Sequence, residues 1–117
     1  MGPSFALRDD VHRADPPELR RGDIAEALPA LLAARAPDVT TVVFQTAVLG
    51  YLAEEAFGRA QSALDEAGKS GRLGFIWTYR PAPDVHTHWG LWLQTWPGGE
   101  PELLGLADFH GAWLEWL

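Results

Sequence analysis

Four side chains in the C-terminal third of the chain carry chemistry and fall close together: His86, His88, Asp108 and His110. Residues two apart on a strand share a face, and a hairpin turning near Gly98-Gly99 sets His88 close to Phe109 or His110 on the partner strand. Three imidazoles and a carboxylate converging there could bind zinc or another divalent metal, or act as an acid and base pair. The same residues also fit a polar strand end in which Asp108 bonds turn amides and His110-Gly111 makes the turn. That second reading is favoured, and no metal is expected. The chain has no cysteine, which excludes disulfides, thiolate zinc sites and cysteine nucleophiles. Ser4, Ser62 and Ser70 lie in no G-x-S-x-G elbow, so serine hydrolase chemistry is not indicated. Ala63 with Gly68-Lys69-Ser70 loosely matches a phosphate loop, but such a loop follows a strand and opens a helix. Here a helix precedes Gly68, and a helix C-cap is expected instead.

Periodicity and punctuation define the elements that must position these residues. Residues 3–14 carry Phe5, Leu7 and Val11 among charges, like the tail of a helix, and Asp15-Pro16-Pro17 stops it. Residues 18–22 suit a short strand. Asp23 is an N-cap with Glu26 three residues on, and Ile24, Leu28, Leu31 and Leu32 follow at helical intervals. Pro29 interrupts that register and predicts a second helical piece over residues 29–36. Residues 39–44 are β-branched and aromatic almost without a break, which predicts a central strand buried on both faces of a parallel sheet. A helical stripe runs from Leu52 to Ala67, and residues 73–79 form a further apolar strand. Residues 88–96 and 102–108, separated by Pro97-Gly98-Gly99, read as a hairpin. Alternating helices and buried strands predict an α/β fold with a mostly parallel sheet and an antiparallel C-terminal hairpin.

Composition bounds the function. The 9 basic and 16 acidic residues among 117 leave a net charge of −7, which argues against a nucleic-acid binder with its basic stripe. No apolar run approaches the roughly 20 residues needed to cross a bilayer. With neither a signal peptide nor a cysteine, the expected location is the cytoplasm. Six tryptophans are present, and the sharing of one face by Trp92 and Trp96 suggests either a binding platform or, more economically, cover for the end of a sheet.

Several motifs together carry a family resemblance. They are Ala14-Asp15-Pro16-Pro17, Arg21-Gly22-Asp23, Leu28-Pro29-Ala30-Leu31-Leu32-Ala33, the run Val42-Val43-Phe44-Gln45-Thr46-Ala47-Val48-Leu49, His88-Trp89-Gly90, Trp96-Pro97-Gly98-Gly99 and residues 108–116. Nearly end to end, the chain resembles a bacterial family known as domain of unknown function 2332, aligning with the C-terminal part of that longer family. The family's sheet pattern is similar to that of class I methyltransferases that use S-adenosylmethionine, a likeness of fold. The resemblance implies that residues 1–117 are a single domain forming the C-terminal half of a Rossmann-like fold. It places Asp23 and Gln45 on the cofactor side, with Thr46, His88, Asp108 and His110 as substrate-side candidates near carboxyl strand ends. Asp23 is also explained as a helix cap without a ligand, and that reading is favoured.

The glycine-rich first turn and the acidic end of the second strand have no counterpart in this chain. S-adenosylmethionine is therefore implied for the full-length family and not expected to bind this chain alone. The function expected is half of a methyltransferase-like domain acting on a small molecule, not catalytic by itself. Two alternatives stay open: a metal-dependent enzyme or metal-binding module using the His/Asp cluster, and a non-catalytic interaction domain. Neither nucleic acid nor membrane is an expected partner, and the unpaired sheet edges predict one of three outcomes: self-association through them, a reordered sheet, or marginal folding.

Overall fold

The computed structural model describes residues 14–36, 38–46 and 52–117. The helix tail read over residues 3–14 lies outside them except for Ala14. Helix α1 (Ile24–Ala33) starts at Asp23, whose carboxylate accepts from the backbone N–H of Ala25 at 2.8 Å and of Glu26 at 3.3 Å. It runs straight through Pro29, which corrects the expectation of two pieces. Proline there forfeits one intrahelical bond, but Leu28 and Leu32 on either side are buried, and their burial outweighs that loss. Asp23→Ala is expected to lower the unfolding free energy by about 1 kcal/mol, read from urea denaturation.

The second helix, α2 (Glu54–Gly68), buries Ala60 and Leu64 and carries Glu54 and Glu55 in its first turn, where negative charge complements the helix dipole. Gly68 is its last helical residue, with Lys69 as the cap, so the glycine is not the expected C-cap. Packing requires it: a Cβ at Gly68 would overlap the Trp96 side chain. Arg35 ties the two helix ends together, donating to Leu32 O at 2.9 Å and to Ala67 O at 2.6 Å.

Among the described residues five strands follow the order β1 (Thr41–Gln45), β2 (Leu73–Tyr79), β3 (Trp89–Trp96), β4 (Glu102–Ala107) and β5 (Leu114–Trp116) across one sheet. Only β1 and β2 run parallel, joined through α2; the other three pairs are antiparallel. The sheet is thus mostly antiparallel, not mostly parallel as expected. The connections spanning residues 80–88, 97–101 and 108–113 are shorter than the dozen or so residues a parallel crossover takes. At the tight β3 to β4 turn, Gly98 adopts φ +77°, a conformation open to glycine.

Two further expectations are corrected. Residues 18–22 form no strand; this exposed stretch holds an ion pair of 3.0 Å between Arg20 and Glu18. An extended segment needs a neighbouring strand to bond its backbone, and the described residues supply none beside it. Among the described residues β1 is an edge strand rather than a central one, and helices cover it on one side only. Val43 and Gln45 turn toward the helices, whereas Val42 and Phe44 on the other face are 54% and 74% exposed.

The core lies between the helices and one sheet face. Leu28, Leu32, Ala60 and Leu64 meet Leu73, Phe75 and Trp77 of β2 and Trp96 of β3. α1 packs chiefly on α2.

Candidate functional site

Alternation along β1 sends Gln45 and Thr46 to opposite faces. Gln45 is buried on the helix side, where its Nε2 donates to Thr78 O at 3.3 Å. The space it borders with Ile24, Leu28 and Phe57 is only about 30 Å³. Thr46 instead lines an open concavity of about 380 Å³ with Thr78, Trp89, Asp108, Phe109 and His110. This hollow sits where the carboxyl ends of β1, β2 and β4 meet the start of β3. Of the candidates read from the sequence, it therefore brings together Thr46, Asp108 and His110.

The hairpin register explains which groups arrive. Trp89 pairs with Ala107, and an irregularity between Leu91 and Trp92 shifts the ladder by one residue. As a result Trp89 stacks obliquely on Phe109, with ring centroids 4.6 Å apart, while His88 lies 6.1 Å from the ring of Trp113. Nδ1 of His88 stands 3.0 Å from Thr87 Oγ1, and His86 is exposed. Neither histidine lines the hollow. Among the described residues, no group of three His, Asp or Glu side chains is placed to hold a metal ion.

Asp108 organises the turn that forms one side of the hollow. Its Oδ2 accepts from the N–H of His110 at 3.0 Å and of Ala112 at 3.2 Å. Its carbonyl accepts from Gly111 N–H at 3.1 Å, and Gly111 takes φ +78° to close the turn. The amides of Ala112 and His110 hold the Asp108 carboxyl below its ordinary value of 3.8, with the positive charge of His110 adding to them against partial desolvation. A carboxyl lowered in the folded state contributes stability above its unfolded pKa and loses it as pH falls through the folded one. Carbon-detected NMR titration is thus expected to place the Asp108 midpoint below 3.8, with Asp108→Asn removing that part of the acid response. A midpoint at the ordinary value would contradict the clamp.

Thr78, Trp89 and Phe109 were not singled out as site residues by sequence reasoning. A hydroxyl breaking the apolar run of β2 near its carboxyl end was the available signal for Thr78. Trp92 and Trp96 do share a face, and it is the one toward the helices. Trp96 Nε1 donates to Asp65 Oδ1 at 3.2 Å, and Trp92 stacks on Trp77 with centroids 6.1 Å apart.

With this geometry in hand, the family comparison is decisive: the model described as "Uncharacterized protein conserved in bacteria (DUF2332)" matches residues 6–116. The chain belongs to the DUF2332 family. No curated protein and no solved structure matches it. In this DUF2332 chain the two cofactor-side candidates do not by themselves fit S-adenosylmethionine. The Asp23 carboxylate is already engaged by two amides, and the roughly 30 Å³ beside Gln45 suits one water molecule rather than a nucleoside. No helix among the described residues of this DUF2332 chain is long and apolar enough to cross a membrane.

Proposed function

We propose that residues 1–117 are the C-terminal portion of a longer methyltransferase-like domain, supplying its substrate-facing half and not catalytic alone. The observation that carries this reading is the hollow at the carboxyl ends of the parallel pair β1–β2, where open α/β sheets bind their ligands. Thr46 and His110 offer hydrogen-bonding groups there, and Trp89 with Phe109 offers an apolar wall for a small molecule. β1 borders both this hollow and an edge with no strand paired to it among the described residues. A strand added at that edge would bring new groups to the hollow and to Asp23. The test is calorimetry with S-adenosylmethionine, on the chain alone and with the N-terminal part of a DUF2332 protein added. Binding only in the combined sample supports the reading. A micromolar dissociation constant for the chain alone, lost in Asp23→Ala, overturns it.

A further inference from the structure

One side of the hollow at the carboxyl ends of β1 and β2 combines a carboxylate with two aromatic rings. Asp108 supplies the charge, and Trp89 and Phe109 supply the rings. Among the described residues that line the hollow, Asp108 is the one acid, and there is no lysine or arginine. All three groups stand on residues 89 and 107–111, whose chain neighbours are also described.

The carboxylate keeps its charge. Both amide bonds, from His110 at 3.0 Å and Ala112 at 3.2 Å, go to Oδ2, and amides orient a carboxylate without cancelling its formal charge. The ion pairs among the described residues, Arg20 with Glu18 and Lys69 with Glu66, leave Asp108 out. The charged neighbour it has is His110, and the same amides favour the ionised carboxylate. The rings of Trp89 and Phe109 are inclined at 54° with centroids 4.6 Å apart. At that inclination neither ring covers the face of the other, and Phe109 is 38% exposed.

These features sort the molecules that the hollow accepts. An anion meets the field of Asp108 with no lysine or arginine to offset it. A neutral ring gains only the contact with Trp89 and Phe109. An organic cation gains from both, because the π faces of tryptophan and phenylalanine attract positive charge as the carboxylate does. Asp108 and Phe109 are neighbours in the chain and both border the hollow, so one small ligand reaches the two together. The volume of about 380 Å³ lies toward the lower end of small-molecule sites, roughly 300 to 1,000 Å³.

We propose that the hollow selects a small organic ammonium compound, its cationic nitrogen held beside the Asp108 carboxylate and its carbon skeleton against Trp89 and Phe109. This rests on the reading of the hollow as a substrate site and adds the chemical class of the substrate.

The test uses three probes of nearly one shape and different charge: benzylamine, benzyl alcohol and benzoate. Each is titrated into the chain at about pH 8, where an imidazole is ordinarily neutral and benzylamine is still a cation. Binding is read from the NMR shift of the Trp89 indole N–H, assigned with Trp89→Phe. Benzylamine is expected to bind about tenfold more tightly than benzyl alcohol, with benzoate weakest. Asp108→Asn retains an oxygen for the two amides and should bring benzylamine to the level of benzyl alcohol, with circular dichroism confirming the fold. Phe109→Leu should weaken both. In the unaltered chain, added potassium chloride should weaken benzylamine binding and leave benzyl alcohol unchanged. Equal binding of the three probes overturns the charge selection while leaving the hollow a small-molecule site. A preference for benzylamine that survives both Asp108→Asn and salt does the same. If no probe moves the Trp89 signal, the proposal and the substrate-site reading fall together.

Discussion

Titrating S-adenosylmethionine into residues 1–117 is expected to give no binding heat up to millimolar cofactor. A nucleoside cofactor in this fold class is held at the carboxyl ends of several neighbouring strands, by a glycine-rich turn at its charged end and a carboxylate at its ribose. Here the described strands include only one parallel pair, and the cofactor-side acid, Asp23, already caps α1. Each missing charge-assisted hydrogen bond is worth roughly 1.5 to 3 kcal/mol. At 1.4 kcal/mol per tenfold, two such losses turn a micromolar site into one of about millimolar affinity or weaker. Adding the N-terminal part of a DUF2332 protein should restore binding by that same factor. Because binding in the combined sample depends on both parts, Asp23→Ala and Thr46→Val can then separate the cofactor side from the substrate side.

Leu64→Ala is expected to lower the unfolding free energy by about 3 to 4 kcal/mol, the range for a leucine removed from a site that cannot collapse. Leu64 is 1% exposed and sits in the core that α1, α2 and the covered sheet face share. The flanking groups are held by the backbones of three elements and by the rings of Phe75 and Trp77, which stack with centroids 4.6 Å apart. Little can move into the space. At this chain length the loss corresponds to a fall in Tm of roughly 10 to 20 °C, read by thermal unfolding at a fixed concentration. Leu31→Ala on the exposed side of α1 should change stability by no more than about 0.5 kcal/mol. Equal effects at the two positions would show that the helices do not pack as described.

The local elements were largely legible. The Asp23 cap and α2 follow from side-chain spacing, β2 matches its apolar run, and β3 and β4 lie within one residue of the runs flanking Pro97-Gly98-Gly99. Each of these is encoded by neighbours a few residues away, through capping chemistry, period and turn residues. Family membership was legible too, from motifs spread over the chain, and the match over residues 6–116 shows it.

Other features depended on residues far apart in the sequence. Val42 and Phe44 have the composition of a doubly buried strand, yet whether a β-branched run is covered on two faces depends on what packs against it, and among the described residues Val42 and Phe44 are exposed. Gly68 carries no sign in its own surroundings that Trp96, on another element, forbids a side chain there. The choice between Gln45 and Thr46 for the hollow rests on which face of β1 the helices take. The irregularity at Leu91 and Trp92 then decides that Trp89 and Phe109, rather than His88, meet Asp108 and His110 at the carboxyl end of the sheet. The sequence by itself determined the elements, the caps and the family, because those signals are short-range. Only the tertiary structure decided the strand directions, which face of β1 the helices take and the membership of the site, because pairing register and coverage are set by contacts between segments that carry no local record of one another.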